Sequence, residues 1–251
     1  MDNMNKSFRK VLLFISLICI IALLTTGFML LRQFDVINIL RDQEEIPEEP
    51  RTEEEQRVID ELPDDLIYTL PRAATALQLA LFEELFHTHD QFNQTGSDTD
   101  LIRYSSVIAQ NFVADFFTLS NKTSRTNVGG LQFIADDILE NFRDYALNNF
   151  YLYLNHHINT FGSESLPTVE TIRIVNAEIG NHTLPLSEWP WSEYVPAIFV
   201  DLEWTYLRTT LPYINDFQSS ARIILQENDG VVRIRAIMEL PATDEDQNTI
   251  N

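Results

Sequence analysis

Between Val11 and Leu31 the chain runs for 21 residues without a charged side chain, and a helix of that length spans a bilayer. The run is apolar on every side, whereas a helix buried in a soluble core is apolar along one stripe. Lys6, Arg9 and Lys10 precede it, and only Arg32 follows closely before acids take over. Positive residues stay inside, so the expected topology is an N-terminus in the cytoplasm and the rest of the chain outside. The run ends Thr25-Thr26-Gly27-Phe28-Met29-Leu30, without the small-residue pattern of a cleavage site, which points to an uncleaved anchor in the plasma membrane. Cys19 follows Ser16-Leu17-Ile18, a poor lipidation signal, and reads as an ordinary apolar membrane cysteine.

Residues 42–65 carry twelve acids against two bases, Arg51 and Arg57, interrupted by Pro47, Pro50 and Pro63. That stretch supplies −10 of a net charge of −21. Self-repulsion extends such a chain, so residues 32–70 read as an acidic stalk. Within it, Thr52 and Glu55 form a capping-box pattern for a short helix from Glu53 to about Leu62. Residues 1–10 are then a cytoplasmic terminus, 11–31 the anchor, 71–241 an extracytoplasmic domain and 242–251 an acidic tail.

The chain is 45% hydrophobic and 11% aromatic, enough for a packed core. Only 7 glycines are present, which argues against a glycine-dependent nucleotide site. The acidity excludes nucleic acid as a partner, because phosphates are repelled rather than neutralised. With one cysteine, there is neither a disulfide nor a thiolate metal site outside the membrane. An exported domain without disulfides suits a bacterial envelope.

Beyond Pro71 the apolar spacing predicts three helices: Arg72 to about Asp90, Asp100 to Leu119, and Asp136 or Asp137 to Phe161, closed by Gly162. The stripe of the third is Ile138, Phe142, Tyr145, Phe150, Tyr153 and Leu154. The period then changes to two. Strands are expected at Thr168–Ile179, Val195–Leu207, Phe217–Gln226 and Val231–Leu240, the last two joined by an Asn228-Asp229-Gly230 hairpin turn. The inward residues of the fourth are Val232, Ile234, Ala236 and Met238. The outward residues Asp201, Glu203, Arg222, Arg233 and Arg235 suggest cross-strand charge pairs. Helices followed by an antiparallel meander make an α+β fold, about three helices on one face of a four-stranded sheet.

No catalytic constellation is visible. His87, His89, His156, His157 and His182 show no metal-ligand spacing, and no phosphate loop or nucleophile elbow occurs, so neither a catalytic residue, a metal nor a cofactor is assigned. Leu240-Pro241-Ala242-Thr243-Asp244 is similar to a sortase signal but has Asp in place of the required Gly. Three glycosylation sequons, at Asn93, Asn121 and Asn181, are what chance gives in a chain rich in Asn and Thr. Asn121, Lys122, Arg125 and Asn127 lie in a basic loop, rare in so acidic a chain. That loop is either a plain helix connection or a partner contact.

This layout resembles the nuclear transport factor 2-like (cystatin-like) fold on a membrane stalk. Within it, it is most similar to the bitopic assembly component of type IV secretion and conjugation systems. The resemblance covers roughly residues 99–241 and lies in element order. It implies a protein-interaction domain that scaffolds an envelope complex, with other envelope proteins or further copies of the chain as partners. The competing reading is a ligand-binding or enzymatic cone, with Tyr104, Tyr145, Trp204 and Tyr206 lining a pocket and Asp201 or Glu203 as acid or base.

Overall fold

The computed structural model describes residues 51–60, 67–185, 192–209, 211 and 214–240; the run 11–31, residues 32–50 and the tail from 241 lie outside them. No helix among the described residues is long and apolar enough to cross a membrane. The folded unit begins at Pro50, some twenty residues before the expected end of the stalk.

The reason is visible in the first helix, α1 (Glu53–Asp60). Its capping box forms as its sequence predicts: the Thr52 N–H donates to Glu55 Oε2 at 2.7 Å and the Glu55 N–H to Thr52 Oγ1 at 3.2 Å. The other oxygen of Glu55 accepts the Ala74 N–H at 2.9 Å, and Val58 joins the hydrophobic core. Tyr68 and Leu70 are buried too. The segment that charge alone marks as a solvated spacer is therefore fastened to the domain by a few apolar anchors, which counting charges does not reveal.

Helix α2 (Ala76–Thr95) starts with a second capping box, Thr75 with Gln78, and ends at Gly96, whose φ of 58° suits the left-handed cap. It continues past Asp90, where the apolar pattern weakens, because the cap at Gly96 stops it. Helix α3 (Asp98–Phe116) is buried along nearly its whole second half. Asn111 is satisfied within the fold, its Nδ2 donating to Leu81 O and Val107 O, both at 2.9 Å.

The expected third helix is two. Helix α4 (Asp136–Asn148) and helix α5 (Leu154–Phe161) are separated by a break at Asn149, with φ −125° and ψ −72°. The break lets Tyr151 turn inward, fully buried, where its hydroxyl donates to Phe116 O at 2.6 Å. A tertiary hydrogen bond and aromatic packing win over the helical period. The N-cap of α4 is Ala135 rather than Asp136 or Asp137. Ile134 forms a parallel bridge to Ile234, and the Ala135 N–H donates to Ile234 O at 3.0 Å, so the chain is still extended there. The two aspartates fall in the first turn and favour the positive end of the helix dipole.

All four strands form an antiparallel meander in the order β1 (Val169–Pro185), β2 (Ser192–Tyr206), β3 (Ser220–Asn228) and β4 (Val231–Met238). Asp229 and Gly230 take φ of 52° and 82°, as a two-residue hairpin turn requires. Ile198, Val200, Leu202 and Trp204 of β2, and Ala221, Ile223 and Leu225 of β3, face the core as expected. On β4 the alternation fails after Ile234. A bulge between Ile224 and Leu225 in the β3–β4 register reverses the parity. Ile237 consequently packs against the core, while Met238 is 52% exposed.

The two sheet edges differ. Along β4, the Tyr68 hydroxyl donates to Val232 O, and the Ile134–Ala135 bridge covers the next backbone groups. β1 has no strand beside its outer edge among the described residues. Pairing of β2 with β3 ends at Ile198, whereas pairing of β1 with β2 runs on from Gly180↔Ala197 to Pro185↔Ser192. The hairpin thus continues as a two-stranded ribbon.

Candidate functional site

The expected partner loop is built around a buried ion pair. Lys122 is 5% exposed, and its Nζ lies 2.6 Å from Asp115 Oδ1 at the C-terminal end of α3. Asp115 Oδ2 accepts the Gly130 N–H at 2.6 Å, and the Tyr151 hydroxyl accepts the Gly129 N–H at 3.2 Å. Burial, together with the nearby Asp115 carboxylate, pushes the Tyr151 phenol far above its ordinary value, so it stays a neutral hydrogen-bonding group.

Gly129 is required here. A Cβ on it would stand 2.3 Å from Asp115 O, and one on Gly130, at φ 73°, would meet the Phe112 ring at 2.7 Å. The loop is thus locked onto α3 by backbone contact and charge, and the positive charge of Lys122 is spent on Asp115 within the fold. Asn121 is also engaged, its Nδ2 donating to Ala73 O at 3.2 Å and to Gln78 Oε1 at 3.1 Å. The Arg125 N–H donates to Asn155 Oδ1 at 2.7 Å, which leaves Asn127 as an exposed member of the set.

The four expected pocket residues do not converge on one site, although Trp204 and Tyr206 touch each other. Tyr104 is buried against the His89 ring at 5.5 Å and the Phe92 ring at 5.8 Å. Tyr145 is 67% exposed. The Trp204 indole N–H donates to the Tyr206 hydroxyl at 2.9 Å, which in turn donates to Gln218 O at 2.6 Å. Desolvation raises the Tyr206 phenol well above its ordinary value. Trp204 lies tilted against Phe117 with ring centroids 4.5 Å apart, and from Phe117 ring contacts lead to Phe150 and, through Phe116, to Tyr151 and Phe142. These rings occupy the space between the helices and the sheet.

Asp201 does not face that interior as an acid or base. It is the direct cross-strand partner of Arg222, which donates to both carboxylate oxygens at 2.7 Å. Glu203 pairs with Arg173 at 2.5 Å on β1. Arg233 and Arg235 leave the ladder: Arg233 lies over the Tyr68 ring at 5.1 Å and donates to Gln132 O at 2.9 Å, and Arg235 pairs with Asp137 of α4. No group of three metal-ligating side chains occurs among the described residues.

Most of the exposed large apolar residues among the described residues fall in two places; Ile67, Leu207 and Met238 lie elsewhere. One is the β1–β2 hairpin, with Ile174, Val175, Ile179 and Tyr194 at 40%, 46%, 41% and 74% exposure. The other is the α4–α5 region, with Tyr145, Tyr153 and Phe161. On α5, His157 stands between Tyr153 at 6.5 Å and Phe161 at 6.0 Å, a ladder at helical spacing.

Compared with models of known families, with curated proteins and with solved structures, the chain has no match.

Proposed function

We propose that the chain is a membrane-anchored, extracytoplasmic interaction domain that scaffolds a bacterial envelope complex, of the kind secretion and conjugation channels use. The observation that carries this reading is the division between interior and surface. Aromatic rings pack together between helices and sheet, and Asp115 and Lys122 neutralise one another. Meanwhile Tyr145, Tyr153 and the rim of Phe161 face outward. Aromatic side chains of this kind anchor protein interfaces, because each offers a large contact area at little entropic cost.

The 21-residue uncharged run supports the anchor and the basic residues before it support the orientation. The element order, helices first and then a four-stranded meander, supports the likeness to nuclear transport factor 2-like domains on membrane stalks, an analogy of fold alone. Against the ligand-binding cone stand the aromatic packing between helices and sheet and the commitment of Asp201 to Arg222.

The test is photo-crosslinking in the cell that produces the chain. A photoreactive residue at Tyr145 or Tyr153 is expected to give a discrete adduct with another envelope protein, and the same probe at exposed Glu54 of α1 is not. Adducts only with cytoplasmic proteins, or none at either tyrosine, contradict the reading.

A further inference from the structure

The outer edge of β1, beside which no strand lies among the described residues, carries a pattern suited to a second copy of itself. Edge strands ordinarily carry devices that prevent such pairing, and one of these, the register irregularity, occurs in the first half of β1 only. Register irregularities lie between Val169 and Thr171 and between Ile174 and Asn176. From Asn176 to Pro185 the pairing with β2 is unbroken. This stretch has a single carboxylate, Glu178, and a single imidazole, His182.

Alternate residues of β1 direct their backbone groups toward β2, and the others direct theirs toward the open side. A two-fold antiparallel pairing of this edge must therefore set residues of like parity opposite one another, which centres it on a residue. Centring it on Gly180 uses residues 176–184 and sets Glu178 of each copy opposite His182 of the other. Centring one residue either way sets Glu178 opposite Gly180 or Leu184, and centring on Glu178 itself sets two carboxylates together. Gly180 suits the axis for a local reason as well. The Phe199 ring of β2 already covers it, 2.9 Å from where a Cβ would stand.

We infer that the chain self-associates through the 176–184 edge of β1, as an antiparallel two-fold dimer with Gly180 on the axis and two Glu178–His182 pairs beside it. The pairing does not rest on the functional reading above, and it leaves α4 and α5 free. Backbone pairing over one strand is a small interface, so the dimer is weak.

Sedimentation of the full chain with Cys19→Ser in detergent micelles tests it, since any association through the membrane run is common to all variants. The wild-type edge is expected to give a monomer–dimer equilibrium. H182E sets carboxylates opposite one another twice and weakens it by about tenfold, and the swap E178H/H182E restores it. In the same background, Glu178→Cys with His182→Cys gives a disulfide-linked dimer. Either cysteine alone gives none, because like positions of the two copies are offset along the strand. A monomer at every concentration, dimerisation unaffected by H182E, or equal crosslinking from the single cysteines overturns the proposal.

Discussion

Lys122 Nζ meets Asp115 Oδ1 at 2.6 Å inside a loop whose sequence reads as a surface contact. Removing one partner leaves the other charge buried and unpaired, which costs more than the pair itself contributes. Lys122→Ala is therefore expected to lower unfolding stability by about 3–5 kcal/mol. The double change Lys122→Met with Asp115→Leu is expected to cost less than the single one, although the Gly130 N–H then lacks its acceptor. Urea unfolding of the wild type and the two variants, followed by circular dichroism, checks the order.

Tyr151 ties the same loop to α3 through two hydrogen bonds, to Phe116 O and from the Gly129 N–H. Tyr151→Phe keeps the ring packing and removes both bonds, at an expected cost of about 1–3 kcal/mol. Faster amide exchange at Gly129 than in the wild type is the local signature.

Two glycines should respond differently to alanine. A Cβ on Gly129 collides with the Asp115 carbonyl, whereas one on Gly96, at φ 58°, meets nothing within 4 Å. Gly96→Ala is expected to cost about 1 kcal/mol from backbone conformation alone. Gly129→Ala adds displacement of the loop and costs at least about 2 kcal/mol. Equal melting temperatures for the two variants would contradict the packing described.

The attachment of α1 should depend on pH. Burial pushes the Glu55 carboxyl up, but the N–H groups of Thr52 and Ala74, the Thr52 hydroxyl and the Arg51 charge outweigh it and hold it below the usual carboxylate value. A folded value below the unfolded one means that the stabilisation is present above the unfolded value and is lost as pH falls through the folded one. The Thr95 and Ser97 hydroxyls on Asp100 act in the same direction at the start of α3. Glu55→Gln is expected to flatten the loss of stability between neutral pH and pH 3. Proteolysis of residues 51–60 at neutral pH is expected to be faster in Glu55→Ala than in the wild type.

Elements with a regular period were legible in the sequence. The four strands, the hairpin turn at Asp229-Gly230 and the capping box at Thr52 follow from local residue patterns. The failures have tertiary causes: Tyr151 breaks a helix whose period continues, the bulge after Ile234 reverses a strand face, and Val58 and Leu70 draw an acidic segment onto the core. Asp201 with Arg222 was legible because cross-strand partners share a face. Lys122 with Asp115 was not, because the loop charge folds inward. An aspartate within the apolar run Val113-Ala114-Asp115-Phe116-Phe117 was the available signal, since a charge there needs a partner.

The most direct test of the anchored, outward-facing domain is cysteine labelling in intact bacteria producing the full chain. With Cys19 replaced by Ser and a cysteine placed at exposed Asn127, a membrane-impermeant maleimide is expected to label the chain without lysis. The labelled protein should stay in the membrane fraction through alkaline carbonate washing. Labelling only after lysis, or release of the chain by carbonate, would contradict the account.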